Sequence, residues 1–559
     1  MKKKFFIHPF FLLCLSALAV LTATSSCTDE FGDVELNLIH GSTHSVADLE
    51  TAKGMMLEAI PRIHELREHQ YQYQWNLHID NYAGYLCVAN NLEGRLPSTN
   101  YLNSDFESGP ISNFLWVIRQ VVPVMNSAND LEFPELGAVA TIIFCLAAQE
   151  YTDVHGPMPY FDYRDLKEDP PMKYVPVKDI YYDILEKLTE AVDTLKKADM
   201  TPEQKEALVF FDKIAGGEVS NWIKLANTLR LRIAMHIKKA EPEKAKREAE
   251  AAVQAGVLTQ TDRDIELAIP AGDHHPLYTI SDTWNDTRLN ASFENILKRL
   301  GGDNRFMLNK LFEANHAPLE DKNGNPAFLE PGEQYVGIRS GSSVFNKNEN
   351  LGAYVVFSKI HRNFATHPIP IMKAVEALFL RAEGALYGWD MGGTAKQFYE
   401  EGICQSFIRE SATEREALIY YNAYMRIDRP ADITYIDYYD RKNDYDNEEH
   451  LVQVGNKWDE ADSNERKLER IMTQKYIANY PVSLEAWTDI RRTGYPRQIP
   501  VVYDAGDHST RGGVVRRIPF QLDGSVSAED VYDTGIPALG GAGDYQGTRL
   551  WWDVDRPNF

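Results

Sequence analysis

Cysteine is scarce in this chain: five residues in 559, with only Cys87, Cys145 and Cys404 after Cys14 and Cys27. Three thiols scattered over so long a stretch cannot staple a fold, and none stands in a CxxC or Cys/His spacing that would hold zinc. They read as small buried hydrophobes. Basic charge is scarce too: 58 Lys and Arg against 82 Asp and Glu leave a formal net charge of -24. A chain without a basic face cannot displace the counterions of a nucleic acid, so no nucleic-acid partner is expected. A spanning helix needs about 20 apolar residues, and the twelve from Phe10 to Leu21, broken by Ser16, fall short.

Catalytic signatures are also missing. No GxSxG elbow, Walker loop or kinase set occurs. "HELREH" at 64–69 spaces its histidines five apart, about 140° around a helix, where a shared metal needs a spacing of four. It reads as a solvated helix face. "EDKNGNPAFLE" at 320–330 begins like a calcium loop, but Pro326 occupies the glycine position and Gly332 the bidentate glutamate position. "LGGAGDYQG" at 539–547 neither follows a strand nor opens a helix, so it is a turn rather than a phosphate loop. "NDYDNEE" at 443–449 has oxygen donors and reads as a solvated acidic loop. No cofactor or metal is implied. A glycosidase needs only two carboxylates about 5–10 Å apart in space, which leaves no spacing in sequence to test.

What is present starts with a leader. Lys2, Lys3 and Lys4 precede the apolar run, the order of an export signal. Ser25 and Ser26 then put small residues before Cys27, which resembles the lipobox of bacterial lipoproteins, with Thr24 where Leu is usual. An ordinary secretory leader with an incidental cysteine is the plainer alternative. On the lipobox reading, residues 1–26 are a lipoprotein signal peptide, Cys27 is the lipidated first residue of the mature chain, and 27–45 form its tether. Acyl chains contribute about 0.8 kcal/mol per buried CH₂, so several of them anchor almost permanently. Asp29, Glu30 and Asp33 resemble the surface-export signal of Bacteroidetes lipoproteins, and equally suit a solvated tether.

Helical patterning follows. In "KDIYYDILEKLTEAVDTLKKA" (178–198), Ile180, Ile184, Leu188 and Val192 share one face; in "NWIKLANTLRLRIAMHIKKA" (221–240), Trp222, Leu225, Ala226, Leu229 and Ile233 do. Joined across Gly216-Gly217, the two are expected to pack antiparallel by a short turn. A second pair spans about 370–409, striped by Met372, Val375, Phe379, Ala382 and Leu386 and then by Ala395, Phe398, Tyr399 and Phe407. Further helices are expected near 465–479 and around Trp487. The pairs look like tetratricopeptide-type hairpins without a fixed period. Between them, 260–365, 410–460 and 495–559 are rich in Gly, Pro, Asn, Asp and aromatics, the composition of long functional loops. Tyr71, Tyr73, Trp75, Tyr82, Tyr85 and Tyr101 crowd one stretch, and Trp284, Tyr335 and Tyr354 punctuate the looped half. Flat rings beside Asn, Asp and Arg suit sugars, although most such rings belong to a core.

These segments together resemble the SusD/RagB nutrient-binding lipoproteins of Bacteroidetes, over essentially the whole mature chain. "YQYQWNLHIDNYAGYLCVANN" (71–91) looks like the family's early helix, and "YTDVHGPMPYFDY" (151–163) is similar to its TD-aromatic-G-x-P-Y signature, with His155 at the aromatic position. "ALFLRAEGALYGW" (377–389) and "AKQFYEEGICQSF" (395–407) resemble its later hairpin, "IMTQKYIANYPVSLEAWTDIRRTGYPR" (471–497) is the most specific match, and "RLWWDV" (549–554) its ending. The resemblance implies a mainly α, SusD-like fold in which helical hairpins scaffold a loop-rich half, as a single domain over 46–559. It implies Trp487 as core, Arg491 and Arg492 as paired structural ions, and Pro157 and Pro159 as turn formers. It also implies a non-catalytic lipoprotein at the outer membrane that binds a nutrient and delivers it to a SusC-like TonB-dependent transporter. The ligand is expected to be a glycan, with Trp75, Tyr101 and Trp284 in its site. A peptide-binding RagB-type protein, a surface glycoside hydrolase and a helical adaptor are the alternatives.

Overall fold

The computed structural model describes residues 40–88, 98–101, 106–301, 305–314, 319–327, 334–342 and 356–559. Cys27 and Tyr354 lie outside the described residues.

Among the described residues the first helix, α1 (Leu49–Ala59), starts where the Asp48 carboxylate accepts the Thr51 amide at 2.7 Å. Next come α2 (Gly109–Ser127) and α3 (Pro134–His155), each with proline in its first turn, where the missing N–H costs nothing. Then follow α4 (Val177–Lys196), α5 (Pro202–Phe211), α6 (Val219–His236), α7 (Pro242–Ala255) and α8 (Ala291–Gly301). The later helices are α9 (Ala374–Leu386), α10 (Ala395–Glu410), α11 (Glu414–Tyr424), α12 (Asn464–Asn479) and α13 (Ser483–Thr493). Successive neighbours pack: α2 on α3, α3 on α4, α4 on α6 and α6 on α7, with a second stack of α9, α10, α11 and α12 joined to the first where α6 meets α9. The apolar stripes of α4 and α6 are buried in this core.

The expected short turn between α4 and α6 is not there. Helix α5 is interposed, begun by a Thr201/Gln204 capping box, and it leaves the hairpin to pack on α1 through Ala207, Leu208 and Phe211. Met372 does not belong to the α9 stripe either. "IPIM" forms a strand, since Pro370 fits poorly inside a helix. Strand β1 (Leu86–Val88) pairs antiparallel with β3 (Thr287–Leu289), and β2 (Ile265–Leu267) with β4 (Ile369–Met372). "HELREH" is no solvated face: His64 and Glu65 are buried, and His64 bridges the Pro370 carbonyl and the Glu150 carboxylate. Cys87 and Cys145 are buried and Cys404 half-buried.

Hairpin α9/α10 closes on a glycine. A Cβ at Gly402 would stand 2.8 Å from the Phe379 ring. Gly402→Ala is therefore expected to lower stability by about 1–3 kcal/mol, against a helix-propensity gain of about 1 kcal/mol. A urea midpoint equal to or above that of the parent would refute the tight contact.

Where α6, α9, α12 and α13 converge, the core is ionic. Arg232 forks onto Glu376 (2.7 and 2.8 Å), Lys475 joins Glu485 (2.6 Å) and Asp489 (2.9 Å), and Arg492 forks onto Glu383 (2.6 and 2.7 Å). Burial works against the Glu485 charge, yet Lys475, His236 and Arg232 outweigh it and hold the carboxyl well below its ordinary range. Trp487 is fully buried, as expected. Of the two arginines read as paired ions, only Arg492 is one. Arg491 donates to the carbonyls of Asp153 (2.6 Å) and Arg516 (2.9 Å) and lies 3.7 Å over the Trp487 ring; burial pushes its pKa down to about 10.

Candidate functional site

Two π-turns build one wall of the loop-rich half. The short helix Glu68–Tyr71 widens into the turn Gln72–Asn76, and Thr279–Thr283 forms another that ends at Trp284. Such widened turns re-aim side chains and are frequent at functional sites. Here they bring the half-buried Trp284 indole against His69, ring centroids 4.5 Å apart and 30° from parallel. The base is pinned from below. Gln72 Nε2 donates to Asp286 Oδ2 (3.1 Å), joining the two turns, and the buried Arg288 guanidinium donates to Asn285 Oδ1 (2.9 Å) and to the Ser281 carbonyl (3.0 Å). Asn285 sits at φ +57°, a left-handed residue that Arg288 holds in place.

The rim of this wall is polar. Lys359 pairs with Asp282, and Tyr278 stands half-buried with His274 at 5.6 Å. Burial would raise the Asp282 carboxyl, but the hydrogen bond and charge of Lys359 outweigh it, so it stays below its usual value. An indole edged by a carboxylate, an ammonium and an amide can stack on an apolar ring face while bonding its substituents.

Tyr101 belongs to a different surface. Its φ of +67° is unusual for an aromatic residue, and the strain is held by Gln546 Nε2, which donates to the Tyr101 carbonyl at 2.8 Å, and by Gly506. A Cβ at Gly506 would come 2.4 Å from that carbonyl, so only glycine lets the two strands meet. The ring stands edge-on to Tyr82 at 6.0 Å and lines a cleft of 600 Å³ that runs between the end of α13 and the C-terminal tail.

Trp75 is placed in the core, 6% exposed, edge-on to His64 at 5.4 Å and lining a small pocket of 20 Å³ with Glu150 and Arg232. That volume holds about one water. The three rings chosen from sequence thus have different neighbours. What the sequence reading passed over is the support: His69, Gln72, Asp286 and Arg288. For His69 a signal existed in "HELREH", since a histidine beside an aromatic-rich turn can stack as well as ligate.

Just past the Gln72–Asn76 turn, His78 is buried between a donor and an acceptor. Its Nδ1 accepts the Ile79 amide (3.0 Å), which requires a bare nitrogen, so the ring is neutral with its proton on Nε2 facing the Tyr73 carbonyl (3.0 Å). Burial pushes its pKa from 6.5 to about 4, and burial likewise takes His155 and His275 to about 3. The unfolded chain takes up these protons at higher pH, so stability present at pH 7 is expected to drain away as pH falls from 6.5 toward 4. Asp80, raised to about 6 by burial, opposes this, as do Asp153, Glu266, Glu294, Asp437 and Asp489, which burial also raises. The histidine share is read from His78→Asn, which should lose less stability than the parent between pH 7 and about pH 4.5; an unchanged pH dependence would contradict the neutral-histidine assignment.

Stacked helical hairpins that carry a loop-rich half define a mainly α scaffold protein, and among the described residues no helix is long and apolar enough to cross a membrane. The family model described as "SusD-like: Susd and RagB outer membrane lipoprotein" matches residues 43–553, and the chain belongs to that SusD-like family. A chitin-binding SusD homologue from Flavobacterium johnsoniae is 31% identical, superposes with a TM-score of 0.76 and covers 91% of this chain and 100% of its own. A SusD homologue from Bacteroides uniformis is 27% identical over 90% of this chain and 99% of its own, with a TM-score of 0.76. One from Bacteroides vulgatus is 25% identical over 91% and 98%, with a TM-score of 0.77. No curated protein matches this chain.

Proposed function

We propose that this protein captures a glycan at the outer membrane without cleaving it and passes it to a SusC-like TonB-dependent transporter. The observation that carries the reading is the Trp284 indole, half-buried, stacked on His69 and rimmed by Asp282 and Lys359. A sugar ring offers the matching chemistry: a face of C–H bonds for the indole and hydroxyls for the rim. Membership of a family of outer-membrane lipoproteins supports the location, and the lipobox-like segment supplies Cys27 as the anchored residue, with Asp29, Glu30 and Asp33 beyond it for display at the cell surface. The chitin-binding relative supports a polysaccharide as the ligand class. Tyr101 is the second aromatic of the reading.

The binding half works by preorganisation. Gln72, Asp286 and Arg288 fix the two π-turns before a ligand arrives, so little ordering cost falls on binding. The helical stacks supply the rigid body against which the transporter would close.

The test uses the mature chain with Cys27→Ser, offered chitin oligosaccharides, other neutral glycans and peptides, with calorimetry for binding and chromatography for products. The expected result is retention of one glycan class with every oligomer recovered intact. Product formation would make it a hydrolase, and retention of peptides alone would move the nutrient from sugar to protein.

A further inference from the structure

The cleft of 600 Å³ beside Tyr101 has the opposite charge to the rest of the molecule. Its lining includes seven lysines and arginines against three carboxylates, in a chain whose formal net charge is -24. Neighbouring carboxylates pair with part of this excess. Arg492 is neutralised by Glu383 and Asp489, Arg497 by Glu469 (3.2 Å), and Arg516 and Arg549 share Asp553 (3.1 and 2.7 Å), with Asp555 also on Arg549 (3.0 Å). Three cations remain. Arg491 is satisfied by carbonyls and a ring face, with no carboxylate at ion-pair distance among the described residues. Lys239 is half-buried and Arg556 exposed, and among the described residues neither side chain has a hydrogen bond or an ion pair. Burial makes the Lys239 charge costly and Arg492 and Arg549 add to that cost, outweighing the opposite pull of Asp553 and Glu465. An array of like charges in a concave, partly desolvated site is unfavourable until an anion enters it.

The same cleft holds an unused acceptor. Asn558 Nδ2 donates to Glu465 and to the Thr493 carbonyl (2.8 and 3.0 Å), which fixes the amide's orientation and leaves its buried Oδ1 without a donor. An oxyanion would answer Lys239 and Arg556, and a hydroxyl on the same molecule would answer Asn558. Tyr101 borders the cleft. We infer that this cleft is a second binding site, for a sugar unit that carries a carboxylate or a sulfate, and so for acidic stretches of the captured glycan. This rests on the reading of the protein as a glycan binder and adds a charge preference to it.

The experiment compares glucuronate-containing oligosaccharides, sulfated oligosaccharides, a neutral chitin oligosaccharide and inorganic sulfate by calorimetry, at low and at near-physiological salt. The variants are Lys239→Gln/Arg556→Gln, Asp555→Asn and Trp284→Ala. Both altered cations are outside the packed core, so the double variant is expected to fold as the parent does. Acidic oligosaccharides should bind, weaken as salt rises, and lose roughly tenfold or more in affinity in the double variant. Asp555→Asn, which removes one of the lining carboxylates, should tighten them. Trp284→Ala should leave their salt dependence unchanged. Equal binding of acidic probes by parent and double variant, or none at low salt while the neutral glycan still binds, would overturn the charged site and leave glycan capture standing. Binding of sulfate but of no glycan would overturn the sugar assignment together with the capture reading.

Discussion

Arg492→Ala is expected to remove about 3–5 kcal/mol of stability, the scale of loss when one partner of a buried ion pair is deleted. The reason lies in what is left behind. Glu383 is fully buried, and its two oxygens accept both arms of the Arg492 guanidinium at 2.6 and 2.7 Å. Burial alone would raise the Glu383 carboxyl; Arg492, then Lys475 and Lys238, outweigh it and hold it below its ordinary value of 4.5. In the parent, that depressed carboxyl contributes stability that is present above the unfolded value and lost as pH falls through the folded one. Without Arg492 the sign reverses. Burial then raises the carboxyl, the native state holds the proton more tightly than the unfolded chain, and stability declines as pH climbs through 4.5 and beyond. The gap between parent and variant should therefore widen from acid to neutral pH in denaturant titrations. Because the single variant can fail to fold, Arg492→Met/Glu383→Leu provides the second reading: removing both charges at similar volume should recover much of the loss, with Asp489, the other carboxylate on Arg492, still paired to Lys475 (2.9 Å). A single variant that costs less than about 1 kcal/mol at neutral pH, the scale of an exposed ion pair, would sink the claim that this pair is desolvated and uncompensated.

The ionic core also marks the limit of what sequence can announce. The apolar stripes of α4 and α6 were legible, since a 3.6-residue period needs no knowledge of the partner. Arg491 and Arg492 look identical in a sequence, yet one meets a carboxylate carried on α9 and the other meets carbonyls of Asp153 and Arg516. Those partners are distant in the chain, so no local spacing distinguishes the two arginines. Helix α5 was lost for a related reason: its short apolar set of Ala207, Leu208 and Phe211 answers α1 rather than the hairpin it interrupts.

The candidate site divides the same way. Trp75 and Trp284 carry the same aromatic signal, and only the fold separates them, turning one toward His64 and a pocket with room for about one water and the other toward His69 and the surface. The cationic cleft left only a partial trace. Its lining comes from 101, 239, 449–465, 490–516 and 549–558; 490–516 carries an excess of arginine, but 449–465 is acidic and 549–558 balanced, so no stretch announces which of them meet. Charge inversion in a concave site is a property of the assembled surface.

Trp284→Ala is the decisive substitution for the capture reading. Truncating an aromatic anchor at the centre of a binding surface costs on the order of 2 kcal/mol, about thirtyfold in affinity, and the expected result is a loss of that size for the retained glycan. Stability should change far less, because the indole is half-buried and the turn beneath it is held by Gln72, Asp286 and Arg288 without its help. Two controls separate stacking from general damage. Trp284→Phe keeps a flat face and should restore much of the binding, whereas Trp75→Ala opens a hole in the core and should lower the unfolding midpoint, by about 3–5 kcal/mol in stability, without selectively weakening the glycan. If Trp284→Ala binds the glycan as the parent does while Trp284→Phe is also unchanged, the indole is not the platform. If affinity is lost in both and the folded fraction falls with it, the residue holds the wall rather than the sugar. Affinity lost in Ala, kept in Phe, at constant unfolding midpoint is the pattern that only a stacking role produces.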